Sequence, residues 1–186
     1  VQRNRLPDSD RVELTMNLKK KQRLILWIRK PDWADKATLI INGKAEQLLL
    51  GNDGYWMIDK VWNRKNRISL QLPMHTYTEN LIGTGRYVAL LYGPYVLAGR
   101  MGKENLPSTF WGKMNNTAMN KMDLSKVPVF NIPATQIPDH VEPVFERGTL
   151  RFNIHLKGFE NVVLEPFYKI HFERYAIYWP TASSNE

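Results

Sequence analysis

The run from Leu164 to Pro180, LEPFYKIHFERYAIYWP, concentrates side chains that hold sugars, metals or phosphates in proteins generally. Glu165 and Glu173 are the one carboxylate pair set among aromatics. Glycoside hydrolysis needs two carboxyl groups roughly 5 to 10 Å apart across one bond. Lys169 and Arg174 lie close by in sequence and offer simple ion-pair partners, so the pair reads first as salt-linked rather than as acid and base. Tyr168, His171, Arg174 and Tyr175 combine polar edges with apolar or planar bodies, a character that suits either carbohydrate contact or a domain interface. The four histidines, His75, His140, His155 and His171, show neither HxxxH nor HxH spacing. With no cysteine in the chain there is no disulfide, thiolate ligand or cysteine nucleophile, and neither metal nor cofactor is expected. A nucleophile elbow, a phosphate-binding loop and a dinucleotide fingerprint are all missing from the sequence.

Tryptophan is the other residue type that grips sugars. Trp33 follows a Pro-Asp turn and is expected to staple a strand end, while Trp56 and Trp62 flank MIDKV and are expected on one buried face. Trp111 sits between Phe110 and Gly112 in an irregular stretch, which makes it the candidate for an exposed ring; plugging the underside of its own loop is the competing role.

These residues must be positioned by strands. Val12, Leu14, Met16 and Leu18 alternate with polar neighbours, the period of a half-buried strand. RLILWIRK follows, ended by Pro31, which lacks an N–H for the ladder. TLII runs into Asn42-Gly43, a pair suited to a type I′ hairpin, with EQLLL as the expected returning strand. GYWMIDKVW, NRISLQLPM, RYVALLYG and YVLAGRM read as further strands bounded by Gly, Pro or Asn. Tyr168, Ile170 and Phe172 would form one face of a last strand running on through Trp179. The fold expected is all-β, an antiparallel β-sandwich with two sandwich-like units, 1–82 and 83–186, the second containing an irregular loop region at 102–140.

Composition narrows the partners. A formal charge of +8 invites a nucleic-acid reading, yet the positive residues cluster in KKKQR (Lys19 to Arg23) and NRKNR (Asn63 to Arg67), where solvated hairpin turns are expected. Neither cluster interleaves with aromatics for base stacking, so no nucleic acid is expected. No run of about eighteen apolar residues exists to cross a membrane. VQRNRLPDSD is too polar for the apolar part of a secretory signal.

Taken in order, LWIRKPDWA, TLIINGK, GYWMIDKVWNRKNRISLQLPM, RYVALLYGPYVLAG and LEPFYKIHFERYAIYWP resemble the C-terminal β-sandwich region of glycoside hydrolase family 127, the β-L-arabinofuranosidase-like bacterial proteins. The resemblance implies an upstream (α/α)6 barrel as partner, a parent enzyme exported to work on glycans, and chemistry at a cysteine nucleophile beside a zinc, all in the barrel. None of those catalytic residues has a counterpart here. It also implies that this piece lacks upstream strands of its first sandwich, and so exposes a strand edge or an apolar patch that the barrel would cover. The expected role is an accessory region without chemistry of its own, possible glycan contact included; a free carbohydrate-binding module is the alternative.

Overall fold

A computed structural model of the chain describes residues 1–83, 85–103, 127–146 and 149–182. The protein is all-β, and every strand pair within its sheets is antiparallel. It divides into two compact units, Val1–His75 and Thr76–Glu186.

The first unit is a sandwich of two sheets. One has the order β1 (Gln2–Asn4), β2 (Arg11–Asn17), β8 (Lys65–Gln71), β4 (Thr38–Ile41), β5 (Lys44–Glu46); the other has β3 (Gln22–Arg29), β7 (Tyr55–Trp62), β6 (Leu49–Leu50). Alternation along the strands sends Val12, Leu39, Ile41, Ile68 and Leu70 inward from the first sheet, to meet Trp56, Ile58 and Trp62 from the second. Full burial of such side chains contributes about 1.5–3 kcal/mol each. Trp33 packs half-buried against this core, and Trp56 and Trp62 share its floor.

Asn42 (φ 51°) and Gly43 (φ 83°) make the tight turn that Asn-Gly favours, with Ile41 opposite Lys44. The return strand, however, is only Lys44–Glu46. Leu49 and Leu50 leave it for the other sheet, opposite Met57 and Trp56, so EQLLL is divided between two sheets rather than forming one strand. The two basic clusters are also not hairpin turns. The segment from Leu18 to Lys21 connects β2 to β3, and Asn63-Arg64 connects β7 to β8; each is an arch from one sheet to the other. Asn66, only 2% exposed, ties the second arch by accepting from the Asn63 N–H (3.1 Å) and donating to the Asn63 carbonyl (2.7 Å).

In the second unit one curled sheet wraps its own core. β9 (Thr76–Asn80) pairs with β10 (Tyr87–Tyr92), which turns at Gly93-Pro94 into β11 (Tyr95–Arg100). Beyond β11 come β14 (Val163–Pro166), β13 (Thr149–Ile154) and β12 (Val141–Glu146), which is preceded by a 3-10 helix at Ala134–His140. Near their turn β10 and β11 pair with each other. Farther on they part, and β15 (Tyr175–Ala176) takes up β11 while β16 (Tyr178–Pro180) takes up β10. The segment 175–180 therefore fills a fork. Trp179, fully buried, meets Phe130 edge-on and Phe159 at a tilt in the core and covers Gly99, where a Cβ would come within 2.5 Å of its ring.

Leu164 to Pro180 is not one long strand. Pro166 ends β14 opposite Leu97, a 3-10 turn follows at Phe167–Lys169 with Ile170 N–H bonded to the Phe167 carbonyl (3.0 Å), and Phe172 adopts φ 59°. This reversal lets the chain re-enter the sheet at Tyr175. The expected face of Tyr168, Ile170 and Phe172 is dissolved, with Ile170 buried and the two rings outside.

Candidate functional site

The reversal builds an aromatic rim on the second unit. Phe167, Tyr168, Phe172, Tyr175 and Tyr178 are all exposed large apolar residues. Tyr168 leans on Tyr95 (ring centroids 5.6 Å apart, 51° between planes), and Phe167 on Tyr175 (4.8 Å, 53°). Lys169 reaches over the Tyr168 ring, at 5.8 Å, and His171 borders Phe172. Arg174 is held through its backbone, donating to Gly102 and accepting from Met101. The structure thus brings Tyr168, His171, Arg174 and Tyr175 onto one short reversal. Trp111 lies outside the described residues. The paired rings are tilted against one another rather than coplanar.

Beneath the rim lies an ion-pair cluster. Glu165, 2% exposed, accepts from Arg100 Nη2 (2.7 Å) and Nε (3.2 Å) through one oxygen and from Arg151 Nε (2.9 Å) through the other. Glu173 pairs with Arg100 Nη1. The hydrogen bonds to Glu165 push the Arg100 guanidinium above its usual range, against the opposing effect of burial. Glu165 and Glu173 do meet in space, through a shared guanidinium, but their partners are Arg100 and Arg151 rather than Lys169 and Arg174. Both oxygens of Glu165 are engaged by guanidinium groups, so the cluster ties β11, β13 and β14 together. Arg100 and Arg151 were hidden from sequence reasoning, 65 and 14 residues from Glu165. The alternation of β11 and β13 toward β14 is the only signal that could have found them.

Among the described residues no group of three or more His, Asp or Glu could hold a metal ion, and no helix is long and apolar enough to cross a membrane. His155 is bonded at 2.9 Å to Glu142 on the neighbouring strand.

The first unit carries a second surface that its strand pattern implies. Along β3 and β7 the outward residues are Ile25, Trp27, Tyr55, Met57 and Val61, joined by Leu49 of β6. Trp27, Met57 and Leu49 form one row across the three strands. Trp27 is 49%, Leu49 53% and Val61 51% exposed. Arg23, opposite Val61, and Asp59, opposite Ile25, cross this face beside the row with a two-pronged ion pair at 2.9 and 2.7 Å, which also holds the Asp59 carboxyl below its usual range.

Comparison with known proteins agrees with this division. Residues 1–74 match the middle domain of GH127 β-L-arabinofuranosidases, and residues 77–181 match DUF4986, a domain of unknown function. No curated protein matches the chain. Solved structures similar in fold include a GH127 β-L-arabinofuranosidase from Geobacillus stearothermophilus T6, at 16% identity and TM-score 0.68, covering 97% of this chain and 30% of that one. A protein described as a glycoside hydrolase gives 16% and 0.60, covering 98% and 32%. A GH127 β-arabinofuranosidase gives 15% and 0.57, covering 97% and 31%. The chain thus spans about a third of the length of the structures it matches. With a GH127 middle domain as its first unit and DUF4986 as its second, the chain belongs to the β-sandwich region of the glycoside hydrolase family 127 proteins.

Proposed function

We propose that the chain is a non-catalytic accessory region of a glycoside hydrolase acting on arabinofuranoside-containing glycans, and that it supports a helical-barrel catalytic domain elsewhere in the polypeptide. The observation that carries this is the outward face of β3, β7 and β6, an apolar row on the side of the sheet away from the sandwich's own core. Contiguous exposed apolar surface of this kind marks an interface, and the greater length of the matched structures, about three times this chain, supports the rest of a longer polypeptide as the occupant in this proposal. The rim of Tyr168, His171, Arg174 and Tyr175 is a second contact surface in this proposal.

Two measurements test the reading. The isolated chain should release no aryl leaving group from an aryl arabinofuranoside, and a longer polypeptide that includes the rest of the protein should shield the amides of β3 from hydrogen exchange. Turnover by the isolated chain that disappears in Glu165→Gln or Glu173→Gln would sink it. Amides of β3 exchanging equally in both polypeptides would remove the proposed docking face.

A further inference from the structure

The outer face of the five-stranded sheet is the opposite of the apolar one. Even-numbered residues of β2 and β8 point to the core, so Arg11, Glu13, Thr15, Arg67, Ser69 and Gln71 point outward. Register sets Arg3, Glu13, Ser69 and Ile40 in one row across four strands, with Arg11 opposite Gln71 on one side of that row and Thr15 opposite Arg67 on the other. Three exposed arginines thus surround a concavity of about 450 Å³. It continues past the edge strand to Arg5 and Ser9. None of Arg3, Arg5, Arg11 or Arg67 has an ion-pair partner among the described residues, whereas Arg23, Arg100 and Arg151 all do.

We propose that this concavity is a binding site for an acidic oligosaccharide, engaged through carboxylate or sulfate groups by Arg3, Arg11 and Arg67. Strand spacing and rise put the Cα atoms of Arg3 and Arg11 about 8 Å apart, and those of Arg11 and Arg67 about 14 Å apart. Guanidinium groups anchored this far apart can each take its own acidic group, so a ligand with two or more separated acidic groups matches the triangle better than one small anion does. A guanidinium takes a carboxylate or sulfate through two parallel hydrogen bonds. Between the arginines lie acceptors and donors suited to sugar hydroxyls, namely Glu13, Thr15, Ser69 and Gln71. Glu13 also argues against a nucleic acid. Its charge in the middle row opposes a continuous phosphate backbone, while its oxygens accept from hydroxyl groups. Among the described residues that line the concavity there is no aromatic ring for base stacking. The choice of a glycan rests on the glycoside hydrolase reading, but the site itself does not depend on a barrel.

Isothermal titration of the 186-residue chain with a tetragalacturonate, a sulfated tetrasaccharide, a neutral arabino-oligosaccharide and a 12-base-pair DNA tests the proposal. Binding of one or both acidic sugars at 20 mM salt is expected, at least tenfold weaker at 200 mM, with no measurable binding of the neutral sugar. Which acidic sugar binds tells uronate from sulfate. Arg3→Ser, Arg11→Ser and Arg67→Ser together should weaken binding at least tenfold, and Arg11→Gln alone severalfold in case the triple variant folds poorly. Lys19→Ser, Lys20→Ser and Lys21→Ser remove the same charge elsewhere and should leave it unchanged. Absence of binding to both acidic sugars, equal weakening by the lysine variant, or tighter binding of the DNA would each overturn the proposal. Each would leave the docking test of the accessory role untouched.

Discussion

The first unit keeps its charges outside two conventional apolar sheets, whereas the second draws a carboxylate inside and clamps it. That difference follows from architecture. Two sheets facing each other close a core with side chains alone, and Asn66 at an arch is the single buried polar side chain of that unit among the described residues. A single sheet that curls on itself must bend its strands, and in the second unit Arg100, Glu165 and Arg151 link the neighbouring strands β11, β14 and β13. The lesson is that the second unit should be sensitive at a few special positions, and the first at ordinary packing ones.

The largest expected effect is at the clamp. Glu165→Ala removes the carboxylate that two guanidinium groups share, but Arg100 keeps Glu173, Arg151 keeps Glu146, and the two groups, 38% and 46% exposed, rehydrate in part. The cost is therefore about 2–3 kcal/mol rather than the full penalty for breaking a wholly buried pair. Urea unfolding followed by hydrogen exchange should place the loss in the second unit; a loss spread equally over both would break the comparison. Next comes Gly99→Ala, where the new Cβ collides with the Trp179 ring and costs about 1–3 kcal/mol. Trp179→Phe removes the colliding atoms, so the double variant should lose less than the sum of the two single ones, a coupling that a thermodynamic cycle measures.

In the first unit Asn66→Ala strands the Asn63 backbone groups and should cost about 1–2 kcal/mol, read as a lowered urea midpoint with unchanged slope. The smallest effect is at the other arch. Lys19, Lys20 and Lys21 are exposed, and replacing all three with Ser should change stability by less than about 0.5 kcal/mol in a thermal melt. A larger change would mean that this arch, like its neighbour, is bound to the core.

Strand existence was legible wherever alternation was strict. The strand read over Val12 to Leu18 appears as Arg11–Asn17, and Leu24 to Ile28 and Asn42-Gly43 appear in the structure where periodicity and turn chemistry put them. Partnership was not legible. The arches at Lys19 and Asn63 look like hairpin turns because a short polar link between two strands is the same string whether the strands pair or face each other across a core. The site region misled for a different reason: Tyr168, Ile170 and Phe172 alternate as a strand would, but Pro166 had already ended the ladder and Phe172 took a positive φ. The partners of Glu165 escaped because ion pairs across a sheet leave no trace in local sequence.

The fork between β10 and β11 also dictates an order of events. Both strands of the hairpin are made early, yet the residues that separate and seal them, 175–180, are made some eighty positions later. Until that segment arrives, half of each strand has an open edge and the pocket for Trp179 stands empty. Pairings so distant in sequence form slowly, so during synthesis the second unit passes through a stage in which the hairpin is present and its seal is not. A chain shortened to residue 174 would be arrested at that stage, with unpaired strand edges that recruit other copies.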